Sequence, residues 1–125
     1  MATVLGAFCN QLVRFFEELS ETFPEERDIK MALEAIQGAR KINPRLVLDI
    51  FYESVAKEGY DILKEGDEDA MVKFAKQKIL NEYNEIKPAL MIFDKHWPTM
   101  SDANRDAIMK YLKVLCVLCM KAKAD

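Results

Sequence analysis

The sequence predicts an all-α fold: a compact bundle of five to six helices, one domain over residues 1–125, with a largely buried C-terminal helix. Three observations predict it. Apolar residues recur at helical spacing from end to end, with no run of strict alternation. Four Gly and four Pro in 125 residues are too few for a turn-rich or disordered chain. Near the end, seven apolar residues follow one another, Val114-Leu115-Cys116-Val117-Leu118-Cys119-Met120. A surface helix needs one apolar stripe, so a segment apolar on every side demands neighbours around it, or a second copy of the protein against one side.

The first helix is expected over residues 3–22, with Thr3 as its cap and Leu5, Phe8, Leu12, Phe15 and Leu19 as its stripe, widened by Cys9, Val13 and Phe16. Phe23-Pro24 ends it, because a residue before proline disfavours helical geometry. A second helix opens near Glu25 with acidic residues at its positive pole and Arg40-Lys41 at the other; Ile29, Ala32, Leu33, Ile36 and Ala39 face inward. Asn43-Pro44 reads as a cap and a first-turn proline for a third helix, with Leu46, Val47, Ile50, Phe51 and Val55 inward and Gly59 as its stop. Residues 60–66 are expected to hold a helical turn and a second glycine stop.

Asp67 caps a fourth helix whose inner face is Met71, Phe74, Ala75, Ile79 and Tyr83. A fifth covers about 86–96, with Pro88 in its first turn and Leu90, Met91, Ile92 and Phe93 packing, and Pro98 breaks it. Ser101 caps the last, over 101–122, whose Asp102 and Lys121/Lys123 suit the two ends of the helix dipole.

Charge weighs against several roles. Eighteen Lys plus Arg stand against 21 Asp plus Glu, net −3, which gives no strong pull toward phosphate backbones or anionic lipid. The groups Arg40-Lys41-Arg45 and Lys73, Lys76, Lys78 have acidic neighbours in sequence, and the aromatic residue among them, Phe74, is expected inward rather than on the surface for bases to stack on. The run 114–120 is far short of the roughly 20 residues that span a bilayer. The first residues lack a basic, long-apolar leader, and three cysteines without an export signal suit a reducing compartment. The expected setting is therefore intracellular and cytoplasmic.

The pair Cys116-x-x-Cys119 is the sharpest motif. A redox pair places its first thiolate at a helix N-terminus, whereas this one lies deep in a helix among Val, Leu and Met, where thiols pack as small hydrophobes. The nitrogen and sulfur donors are Cys9, Cys116, Cys119 and His96, and their spacing matches no zinc finger or knuckle. A single histidine cannot build a di-iron bundle, and no nucleophile elbow accompanies it. His96 and Trp97 are expected to close a helix end, the indole packed over the bundle and the ring nitrogens of His96 in water. Glu65-Gly66-Asp67-Glu68-Asp69 lacks the spaced oxygen ligands of a calcium loop and reads as a helix start. No catalytic, cofactor-binding or metal-ligating residue is predicted.

Apolar residues outside the stripes, Met31, Leu48, Tyr52, Tyr60, Leu80 and Met109, imply a wide core or an exposed patch that pairs. The function expected is protein–protein contact in an adaptor, regulatory or assembly role, with a protein partner or with itself as a homodimer. The alternatives are a nucleic-acid-associated accessory factor and an enzyme with an unrecognised site.

The segments Phe23-Pro24-Glu25-Glu26, Asn43-Pro44-Arg45, Asp67-Glu68, His96-Trp97 and Tyr111-Leu112-Lys113 give the chain a resemblance to uncharacterised small helical proteins of large DNA viruses of algae and protists. That resemblance implies the interior of a host cell as the compartment and brings no activity or site residue with it.

Overall fold

Apart from the first helix's stop at Phe23, four helix boundaries are set by side chains reading the chain locally. In the computed structural model, which describes residues 3–81 and 85–124, Thr3 Oγ1 accepts the Gly6 amide at 2.9 Å and opens α1 (Val4–Thr22). Asn43 Oδ1 accepts the Arg45 amide at 3.2 Å ahead of α3 (Pro44–Phe51). Asp67 Oδ1 takes the Ala70 amide at 3.0 Å before α5 (Glu68–Asn81), and Ser101 Oγ takes that of Asn104 at 3.2 Å before α7 (Asp102–Ala124). Each satisfies an amide that the first helical turn leaves without a partner.

Between them lie α2 (Arg27–Ile42), α4 (Lys57–Glu65) and α6 (Lys87–Lys95), the last followed by a 3-10 turn at Trp97–Thr99. No strand occurs among the described residues, and the architecture is all-α. Helices α3 and α4 are one rod joined through a π turn, Tyr52–Ala56, so the described residues form six helices. One buried cluster, from Phe8 in α1 to Ala122 in α7, runs through all of them. Helix α1 lies against α2, α3 and α7; α4 and the π turn also meet α7; α5 packs on α6, and α6 on α2.

The structure corrects several expectations. Gly59 does not end the third helix. The rod continues to Gly66, whose φ of 72° supplies the left-handed cap. Gly59 is instead where α5 comes close: a Cβ there would stand 3.0 Å from Phe74 Cε2. The π turn adds one residue to the repeat, so Ser54, Val55 and Ala56 are buried in succession. Glu25 lies outside α2, in a turn closed by the Glu26 amide on the Phe23 carbonyl at 3.0 Å. Leu46, expected inward, is 48 % exposed, while Leu48 and Met109 join the core. Tyr83 lies outside the described residues.

The C-terminal helix is the main correction. It buries Ile108, Met109, Leu112, Leu115, Cys116, Cys119 and Ala122, but Val114 is 45 % and Met120 37 % exposed. Its principal neighbours, α1 on one side and the α3–α4 rod on the other, cover two flanks and leave the third bare. The near-complete enclosure expected of 114–120 is thus a partial one. Lys123 ties the end of α7 to α3 by a 3.1 Å contact with Asp49 Oδ1, and its ammonium lies over the Tyr52 ring.

Candidate functional site

Cys116 and Cys119 sit where α7 meets α3, both fully buried. The Cys119 thiol points at the Leu48 carbonyl, 4.0 Å away, and Cys9 at that of Pro44, 3.9 Å away. Burial pushes the Cys116 and Cys119 thiols up to about 12, far from the activated thiolate that redox or acyl-transfer chemistry uses. The sign of the linkage follows. The unfolded chain gives up these protons above the ordinary value of 9.0, whereas the folded chain holds them to about 12. Their contribution to stability is therefore full below pH 9 and falls as pH rises, by up to about 1.4 kcal/mol per pH unit per thiol. A Cys116→Ala/Cys119→Ala protein should melt lower at neutral pH yet lose less between pH 9 and 10.5. Parallel alkaline curves for the two proteins would contradict this.

Chemistry-bearing side chains converge instead at the end of the bundle where the α1–α2 turn meets the close of α6. His96 stacks on Phe23, the ring centroids 4.4 Å apart, and its Nε2 lies 3.0 Å from Glu26 Oε1. The same oxygen is 2.6 Å from Lys95 Nζ. These hydrogen bonds, first from Lys95 and then from His96, hold the Glu26 carboxyl below the usual carboxylate range. The ring is therefore engaged by a carboxylate on the side where the sequence predicts water. Glu25, Glu26 and His96 bring one potential ligand atom each to within 4.8 Å of one another. Beside them Trp97 is buried as expected, stacked on Phe93 at 4.5 Å, with Arg105 bonded to the Trp97 and Pro98 carbonyls.

Sequence reading singled out His96 but missed its companions. Glu26 and His96 are separated by 70 residues, and a pair that distant leaves no periodicity or spacing in a single chain. The one local hint is that Phe23-Pro24-Glu25-Glu26 turns the chain sharply where an aromatic and two acids must share a corner.

Another hollow, about 670 Å³, is an open groove between the α4–α5 turn and α7, in which Glu65, Asp67, Glu68, Asp69 and Asp106 alternate with Lys64, Lys110 and Lys113. Mixed charge of this kind is a solvated surface rather than a cradle for one sign of ligand. The basic groups are also divided: Arg40 donates to Asn10 Oδ1, Lys76 lies 4.0 Å from Asp94, and Lys78 bonds the Glu53 carbonyl and pairs with Glu58.

A further candidate is apolar. Ile42 precedes the Asn43 cap, a position from which a large apolar residue normally folds back onto the fourth helical residue, here Val47. Val47 is buried, yet Ile42 is 88 % exposed, and Leu46 in the next turn is 48 % exposed. The α2–α3 corner thus presents two large apolar side chains where local packing rules would cover one. Among the described residues no helix is long and apolar enough to cross a membrane. No protein-family model, curated protein or solved structure matches the chain.

Proposed function

We propose that this protein works by contact with another protein surface, a second copy of itself or a partner, through the α2–α3 corner. The observation that carries the reading is Ile42, at 88 % exposure the barest large apolar side chain among the described residues, set beside half-bare Leu46. Exposed apolar side chains grouped at one place mark interaction surfaces more often than scattered ones do. The polar side chains support the same reading, since those with unusual surroundings are engaged in joining helices: Glu26 to His96, Asp49 to Lys123, Arg105 to Trp97. Such a surface suits an adaptor, regulatory or assembly role, which needs no reaction.

Light scattering across a concentration series tests it, with an Ile42→Glu/Leu46→Glu protein as the comparison. Wild-type mass is expected to rise above that of one chain and the double variant to stay monomeric. If the wild type is monomeric, cross-linking in cells should yield a product that the double variant lacks. A monomer whose cross-linked products are unchanged by the substitutions would overturn the reading. Ile42 is exposed and Leu46 half-buried, so the double variant should keep the helical circular dichroism of the wild type.

A further inference from the structure

We propose that Glu25, Glu26 and His96 form a binding site for one divalent transition-metal ion of the zinc type. The site rests on the geometry at the α1–α2 turn and is independent of the contact surface described above.

Three features support it. The first is spacing. Ligand atoms around a four-coordinate ion with bonds of about 2.1 Å stand roughly 3.4 Å apart. His96 Nε2 and Glu26 Oε1 are 3.0 Å apart, and all three donors lie within 4.8 Å of one another. Closing on an ion needs a side-chain rotation at exposed Glu25 and a smaller one at Glu26, whose carboxylate opens its 3.0 Å contact with His96 to admit the ion.

The second is preorganisation. The His96 plane is held by its stack on Phe23, which is buried, and the 23–26 turn is closed by its own backbone hydrogen bond. The two halves of the site are joined by core packing of α2 against α6, so the donors do not have to be gathered from mobile chain. The third is charge. Glu26 Oε1 already faces one cation, the Lys95 ammonium, beside the His96 ring nitrogen, so its surroundings place positive charge against it. A bound ion takes the position between imidazole and carboxylate and displaces the Lys95 ammonium into solvent.

The donor set selects the ion. One imidazole nitrogen with two carboxylates suits zinc, cobalt or nickel, whereas calcium and magnesium require an all-oxygen shell. His96 binds as neutral imidazole, its Nε2 lone pair directed at the metal, and any proton there leaves to solvent. Three protein ligands leave the remaining position to water.

Titration of the 125-residue chain with zinc chloride, and with cobalt chloride followed by visible absorption, tests the site. One equivalent is expected to bind, the cobalt spectrum showing nitrogen and oxygen ligation without thiolate charge transfer. His96→Ala and Glu25→Gln should each weaken binding tenfold or more, and Lys95→Met should strengthen it. Glu25 is exposed and outside any helix, so Glu25→Gln reads the site even if His96→Ala fails to fold. No saturable binding by the wild type, retention of affinity in Glu25→Gln, or a thiolate band would overturn the proposal.

Discussion

Leu115→Asp should leave the chain unfolded under conditions where Leu118→Asp still folds. Leu115 is fully buried between α1 and the α3–α4 rod, while Leu118, three residues on, only leans against the edge of the core. An aspartate at 115 stands in the apolar core out of reach of water, so it must either bury its charge or protonate. The expected loss is above about 4 kcal/mol, a large share of the roughly 5–15 kcal/mol that holds a domain of this kind together. At 118 the carboxylate can reach water, and about 1–2 kcal/mol is expected, mostly lost apolar contact. Urea unfolding followed by far-ultraviolet circular dichroism separates the two. Equal losses would mean that α7 is enclosed all round.

Phe8→Ala is the second large effect, at about 3–5 kcal/mol. Phe8 is fully buried in α1 and meets Phe51 of α3 edge-on, the ring centroids 5.2 Å apart. Removing one ring opens a cavity at the junction of two helices whose backbones are held by their own hydrogen bonds and cannot fully collapse into it. Phe51→Ala should cost a similar amount. The double variant should lose less than the sum by about 0.5–1.5 kcal/mol, the coupling expected of an edge-on aromatic pair. Strict additivity would show that the two rings fill separate spaces.

What sequence reading captured and missed divides along the range of the interactions. Thr3, Asn43, Asp67 and Ser101 were readable as caps because a cap is a bond between residues two or three apart. Gly59 misled because its usual meaning is local, a helix stop, while its place here is set by Phe74 arriving from another helix. The π turn at Tyr52–Ala56 leaves no mark that composition can show, yet it shifts the phase of every residue after it. The run 114–120 contains no polar residue to tell an inner from an outer side, so its division into buried Leu115, Cys116 and Cys119 and exposed Val114 and Met120 came only from where α1 and α3 lie. His96 stood out as the single histidine, but its pairing with Glu26 had to wait for the fold.

The account depends most on α7 being covered on two flanks and bare on the third. Thiol labelling of single cysteines placed at 114, 115 and 120, in a chain whose native cysteines are replaced by Ala, measures that directly. In the folded monomer, cysteines at 114 and 120 should react at rates near those of a free thiol, and one at 115 should be protected until the chain unfolds. Comparable protection at all three positions, or comparable reactivity, would contradict it.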